Sequence, residues 1–247
     1  MGYNALQDLN MAGVQWELTE HPAIQGMLKT EEKKTGPELT NHTSNIVVPA
    51  VAPVVLDSVT KMLESCNDID SLIDVIKKVN HPLRSGATNT VVPNIAKNPN
   101  GLIIITDMPN TDDDLSGHIF SGNTGDLLDK MLSAIQMSRE TVSLIPLVFW
   151  KTPGGRTPTN EELKLTRPII DKMIDMLKPQ IIITFGTLAA TEIGQTNLTS
   201  NHGTEIKTEK GYTIIPLYHP NYLILKPSAK KDVWVVLQNV QKMLKIS

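Results

Sequence analysis

The sequence predicts an α/β fold, a three-layer α/β/α arrangement around a four-stranded parallel sheet. Apolar runs of strand length alternate with helical patterns through the later part of the chain, the order that builds parallel strands joined by crossover helices. The runs are continuous (LIII, QIII) rather than alternating, as expected of strands covered on both faces. The residues with unusual chemistry are concentrated in four loops that follow the strands. In such sheets the ligand crevice lies beyond the carboxyl ends of the strands.

The elements follow in order. Tyr3–Leu18 has the spacing of a short helix, with Leu6, Leu9, Val14 and Trp16 among its apolar positions, and we assign residues 1–28 to an N-terminal helical segment. Residues 29–45 are polar and without period, and prolines and alanines then interrupt the valines up to Val55. Proline removes a donor and fixes φ, so 29–56 reads as an extended linker and 57–247 as the domain. Asp57–Lys78 shows helical spacing in two pieces, with Asp68 or Asp70 available to cap the second. Strands are expected at 101–106, 142–150, 180–186 and 212–218, with Pro146 weakening the interior of the second. Helices are expected at Gly125–Met137, from Thr159 to about Leu177, and at Ser228–Leu244. Thr159 and Glu162 have the spacing of a capping box.

Composition narrows the class. The chain has 247 residues, 40% of them hydrophobic, enough for a buried core and too many for a disordered chain. Cys66 is the single cysteine, so neither an internal disulfide nor a thiolate metal cluster can form, and a reducing, cytoplasmic setting is expected. No apolar run reaches the ~18 residues of a membrane span. MGYNALQDLN lacks the basic start and apolar core of a secretory signal. The formal charge of -3 argues at first against a nucleic-acid partner. That average hides segregation. Residues 101–140 hold seven acids against two bases, and residues 207–247 hold seven bases against two acids.

The four loops are 106–125, 151–159, 185–190 and 218–227. Asp107 follows the first strand, and Asp112, Asp113 and Asp114 come soon after; acidic loop clusters are most often solvated turns or helix caps. Phe120 lies in a glycine-rich stretch, where an aromatic usually plugs the core. His219-Pro220 follows the last strand, and a lone histidine is more often a packing residue than a catalyst. Together at one end of one sheet, they describe a pocket with a carboxylate, a flat stacking surface and an imidazole.

The order and spacing of these segments resemble the uracil-DNA glycosylase superfamily, its family 4 type above all. That family's first motif reads Gly-Glu-Ala-Pro-Gly-x-x-Glu-Asp-x-x-Gly-x-Pro-Phe-Val-Gly-x-Ala-Gly-x-Leu-Leu-Asp. The segment TDMPNTDDDLSGHIFSGNTGDLLDKML keeps its length: Asp107 takes the first glutamate position, Pro109 is kept, and Asp113-Asp114 fall on Glu-Asp. Gly117, Phe120, Gly122, Gly125 and Leu127-Leu128-Asp129 also match. WKTPGGRTPT, FGTLAA and HPNYLILKPSAKKDVW resemble the family's remaining motifs in order.

The resemblance implies cleavage of the N-glycosidic bond of deoxyuridine, or of a related damaged nucleotide, in DNA. The base must leave the stack to be reached. It implies catalytic roles for Asp107 or Asp113, positioning water and offsetting positive charge on the sugar, and for His219, donating a hydrogen bond to the departing uracil anion. Phe120, Pro109, Asn110 and Asn221 would bind the base. Tyr222, Leu223 and Leu225 offer a wedge into the vacated stack, and Gly154, Gly155, Arg156, Lys226, Lys230 and Lys231 would hold phosphates. The expected partner is DNA, bound by a monomer, with no membrane involved.

The chain departs from the family in several places: the first glutamate is shortened to Asp107, Asn110 replaces a glycine, Asn221 replaces the serine after His-Pro, and two further departures are larger. The four cysteines that hold the family's iron–sulfur cluster correspond to about Lys78, His81, Trp150 and Thr166, so the cluster is expected to be absent, with Trp150 in its space. The family's uracil-reading asparagine falls near Pro146, which has no side-chain donor or acceptor. Two other readings follow: a DNA-binding descendant with weakened or lost catalysis, and a small-molecule hydrolase or nucleotide binder. The missing phosphate-loop and dinucleotide fingerprints speak against the latter.

Overall fold

The computed structural model describes residues 52–245, so the expected helix in 1–28 and most of the expected linker lie outside the described residues. The linker's last part, 52–56, is helical. Helix α1 spans Ala52–Glu64, with Pro53 in the first turn, where its missing N–H leaves no helical bond unmade. Helix α2 (Ile69–Lys78) is capped by Asp68, whose carboxylate accepts the Ser71 amide at 2.8 Å.

Strand β1 (Leu102–Thr106) leads into α3 (Thr111–Ser116) and α4 (Gly122–Ser133). Strand β2 (Ser143–Pro146) leads to α5 (Asn160–Leu177), and β3 (Ile181–Phe185) to α6 (Thr187–Glu192) and α7 (Leu198–Asn201). Then come β4 (Ile206–Lys207), β5 (Thr213–Leu217), α8 (Pro220–Leu225) and α9 (Lys230–Met243). Thr159 and Glu162 form the expected capping box at the start of α5.

The sheet has five strands in the order β2-β1-β3-β5-β4, not four. The four expected strands are parallel to their neighbours. The addition is β4, two residues antiparallel to β5 at the edge, too short to leave an apolar run in the sequence. The second strand also stops at Pro146 instead of continuing to 150. The next amide, of Leu147, turns to the carbonyls of Thr106 and Asp107, and 147–150 stay buried as irregular chain.

Alternate side chains of the strands feed two cores. Ile103, Ile105, Ile182 and Ile214 pack with Leu72 of α2 and Ile169 of α5 on one face. Ile104, Ile183, Phe185 and Ile215 pack with Leu128 of α4 and Val233 of α9 on the other. Each fully buried aliphatic side chain contributes ~1.5–3 kcal/mol, so the sheet is a rigid floor. Thr106, Pro146, Phe185 and Leu217 end their strands at one edge, which places the following loops together. No described helix is long and apolar enough to cross a membrane.

Candidate active site

A cavity of about 730 Å³ opens at that carboxyl edge, a volume ample for a nucleobase with its sugar. Asp107 and Pro109 reach it from the end of β1, Asn110 and Asp112 from the start of α3, and Asn123 and Thr124 from the first turn of α4. Lys151 and Gly155 line it from the loop after β2, and His219, Asn221, Tyr222, Ile224 and Leu225 from the loop after β5 and from α8.

Asp107 is held in place by α6. Its Oδ1 accepts the Ala189 amide at 2.7 Å, and the Leu188 amide also favours its charge. The carboxyl fits because Gly186 lacks a Cβ, which would overlap it, and Gly186 has φ 102, a conformation natural to glycine. Burial outweighs these amides and raises the Asp107 pKa to about 6. The result is an oriented carboxylate poised to exchange a proton near neutral pH.

His219 caps α8. Its Nδ1 accepts the Asn221 amide at 3.1 Å, which places the proton on Nε2. Burial lowers the pKa to about 4, so the ring is neutral and offers Nε2–H as a donor. Its face lies on Phe120, with centroids 5.6 Å apart and planes 21° apart, while Phe185 meets both rings edge-on. Phe120 is 2% exposed and is absent from the cavity lining. The expectation of an open stacking surface is therefore corrected: Phe120 backs the imidazole. A base placed between parallel rings needs about 7 Å, twice the ~3.4 Å rise of stacked bases, and the pair is closer than that.

Asp113 is corrected as well. It is buried, it is absent from the cavity lining, and its two oxygens accept the Asn110 amide at 2.9 Å and the Ser121 amide at 2.7 Å. Burial raises its pKa, but its work is to tie the α3 loop to the Phe120 segment. Asp114 likewise accepts the Thr88 and Asn89 amides. The helix-cap reading of the acidic cluster holds for Asp113, while Asp114 instead anchors the 88–89 loop. Asn110 keeps a foot in both roles, lining the cavity while its Oδ1 accepts the Asp113 amide.

The expected DNA grip divides. Arg156 makes a bidentate pair with Glu162, at 2.8 and 2.6 Å, and is thereby committed to the start of α5. Gly154 and Gly155 have φ 63 and 72 with open space beside them, and only Gly155 lines the cavity. Leu223 points into the core at 1% exposure, whereas Leu225, 77% exposed, lines the cavity with Ile224, so of the two leucines expected as a wedge only Leu225 is accessible. The Lys226 ammonium stands 5.9 Å over the exposed Tyr222 ring. Lys231 is exposed, and Lys230, half-buried, has its pKa lowered by burial and by the charge of Lys130.

Sequence reasoning missed Asp112, Asn123, Thr124 and Lys151. Lys151 directly follows a predicted strand, and Asn123 sits in the glycine-rich stretch whose helix begins three residues earlier than the apolar spacing indicated. The side-chain amides of Asn123 and Asn221 make no hydrogen bond to another described residue. No residue of 143–150, Pro146 included, lines the cavity.

The residues at the family's cluster positions do not fit an iron–sulfur cluster. Lys78 is exposed, and Thr166 donates its hydroxyl to the Leu147 carbonyl at 2.6 Å. Trp150 is fully buried, stacked on His81 at 4.7 Å, and donates Nε1–H to Thr90. His81 spends both ring nitrogens, on the Leu83 amide and the Glu162 carbonyl. No thiolate is present among the four, and thiolates supply such ligation.

Comparison with known proteins agrees with the geometry. The profile of the Uracil DNA glycosylase superfamily matches residues 93–241. A type-4 uracil-DNA glycosylase from Archaeoglobus fulgidus is 26% identical over 188 residues, covering 72% of this chain and 87% of the relative. Its counterpart from Thermotoga maritima is 27% identical over 164 residues, covering 65% and 84%. That from Pyrobaculum aerophilum is 27% identical over 177 residues, covering 67% and 89%. The matched span contains every described strand, the starts of all three cavity-lining helices and the Asp107–His219 pair, and on this ground the chain belongs to the uracil-DNA glycosylase superfamily and is family 4-like within it.

Proposed function

We propose that the chain is a monofunctional DNA glycosylase that hydrolyses the N-glycosidic bond of uracil, or of a related damaged base, flipped out of DNA. The observation that carries this is the convergence of one desolvated carboxylate and one neutral imidazole donor on a single cavity at the carboxyl edge of the sheet. In this reading the C1′–N1 bond breaks and its electron pair leaves with the base. His219 Nε2–H donates a hydrogen bond to the resulting anion, a preorganised stabilisation that costs no reorganisation in the transition state. Asp107 offsets the positive charge growing on the sugar and orients a water. As the water oxygen bonds to C1′, its proton passes to the carboxylate.

Phe120 and Phe185 keep the imidazole in place. Leu225 and Ile224 fill the gap in the stack, and Lys226 and Lys231 hold phosphates. The enzyme acts as a cytoplasmic monomer and needs no iron–sulfur cluster, because the His81–Trp150 stack and the Thr166 hydroxyl fill those positions.

Incubation with uracil-containing single- and double-stranded oligonucleotides, followed by alkaline cleavage of abasic sites, tests the reading. Scission is expected with the wild type. Scission no greater than that of an Asp107→Asn, His219→Ala double variant would sink it. A second reading, a DNA-binding protein without catalysis, is favoured by Pro146 at the base-reading position. It predicts salt-sensitive DNA binding with no base release in the same assay.

A further inference from the structure

Phe120 has φ 56, a left-handed conformation that is unfavourable for a residue with a Cβ and persists only when its surroundings enforce it. What enforces it is visible. A Cβ at Gly125 would overlap the Phe120 carbonyl oxygen, so the first turn of α4 leaves a slot for that carbonyl. The guanidinium of Arg139, from the segment after α4, fills the mouth of the slot. Its two terminal nitrogens donate to the Phe120 carbonyl at 2.7 Å and to the Ile119 carbonyl at 3.1 Å. Its Nε donates to Asp129 at 2.6 Å, which fixes the plane of the fork. On the far side of Phe120, the Ser121 amide is held by Asp113.

We propose that Arg139, oriented by Asp129, is a positioning residue of the site, setting the Phe120 ring on which the His219 imidazole rests. This inference rests on the glycosylase reading. Arg139 does not line the cavity and touches no reacting atom. It acts through two carbonyls, Phe120 and the ring stack. A lysine keeps its charge but not the planar fork, so the conservative variant separates geometry from charge. A misplacement of about 1 Å at a catalytic group, caused from outside the site, can cost on the order of 100-fold in rate.

The test compares Arg139→Ala and Arg139→Lys with the wild type. The kcat for uracil release is expected to fall on the order of 100-fold in Arg139→Ala and less in Arg139→Lys, with affinity for uracil-free DNA unchanged. A folded Arg139→Ala with wild-type kcat, or one that loses plain DNA affinity in step with kcat, overturns the proposal. If Arg139→Ala does not fold, Arg139→Lys decides the same comparison.

Two readouts work without activity. Hydrogen exchange should accelerate in 117–124 of the variant while β1 and β3 keep their protection, and the imidazole nitrogen resonances of His219 should move while those of His81 stay. Unchanged exchange in 117–124 and an unmoved His219 would overturn the proposal even where the wild type releases no base. In that case the loss of base release falls on the glycosylase reading alone.

Discussion

His81 and His219 share a dipeptide, His-Pro, and a local geometry. Each caps a helical turn that begins with proline, and each accepts the amide two residues on at Nδ1, at 3.2 Å for His81 and 3.1 Å for His219. That amide leaves the proton on Nε2 in both. Each ring lies flat on an aromatic, His81 on Trp150 and His219 on Phe120, and burial lowers both pKa values. They differ in the third dimension. The Nε2 of His81 meets the Glu162 carbonyl at 3.0 Å, which completes a closed structural cluster. The Nε2 of His219 makes no hydrogen bond to another described residue, and His219 lines the cavity. Local sequence thus sets cap and tautomer alike, and what a distant segment places opposite Nε2 makes one histidine structural and the other available for chemistry.

The sharpest way to break this comparison is to delete each ring. His219→Ala is expected to lower the single-turnover rate on the order of 10²–10³-fold, the usual loss of one transition-state donor, and to cost less stability than His81→Ala, because only the Asn221 amide loses a partner. His81→Ala is expected to keep the rate per folded molecule and to lose about 1–3 kcal/mol of stability, because the Leu83 amide and Glu162 carbonyl lose their partner. A folded His81→Ala without base release would dissolve the distinction.

The titration of Asp107 sharpens it next. Burial raises this carboxyl from 3.8 to about 6, so its favourable contribution to stability is complete below 3.8 and is lost as pH rises through 6. At neutral pH the ionised group costs on the order of 3 kcal/mol. His219 has the opposite sign: lowered from 6.5 to about 4, its contribution is complete above 6.5 and is lost as pH falls through 4. The two offset each other through that window. Asp107→Asn removes one of them, so urea midpoints of the variant should exceed those of the wild type near neutrality and fall more steeply toward pH 4. The wild-type rate should rise with pH along a limb near 6, where Asp107 ionises, and the limb should vanish in the variant. Parallel stability profiles would show that Asp107 is not the desolvated group described.

Much of this architecture is legible along the chain because it rests on local signals. Ile103–Ile105 and Ile181–Ile183 announce buried parallel strands, and Thr159 with Glu162 announces a helix start. The site was legible where a residue directly follows a strand, as Asp107 does, or caps a helix, as His219 does. What stayed hidden depends on the third dimension. Six residues of α8 are too few for a periodic pattern, so Leu223 in the core and Leu225 on the rim look alike in the sequence. Asp113 reads as a catalyst until the amides of Asn110 and Ser121 occupy it. Phe120 reads as an open platform until His219 covers it. Strand β4 exists only because β5 offers it an edge.

The smallest expected effect separates two cations that sequence alone groups together. Arg156 belongs with His81 on the closed side: it is spent on Glu162, whose buried carboxylate also accepts the Thr159 amide, so its charge is consumed by the start of α5. Lys231 belongs with His219 on the open side, exposed at the first turn of α9. A cation that neutralises a phosphate releases a counterion, so Lys231→Ala should weaken binding to all DNA sequences alike and reduce the slope of log affinity against log salt by about 1. Arg156→Ala should leave that slope unchanged and instead cost ~1.5–3 kcal/mol of stability, the range for hydrogen bonds to a charged group. Salt titrations of both variants on one uracil-free oligonucleotide, with their unfolding curves, decide the matter. If Arg156→Ala lowers the slope, the Glu162 pair opens on DNA and the arginine moves from structural clamp to phosphate contact. The closed side would then be defined by His81 and Trp150 alone.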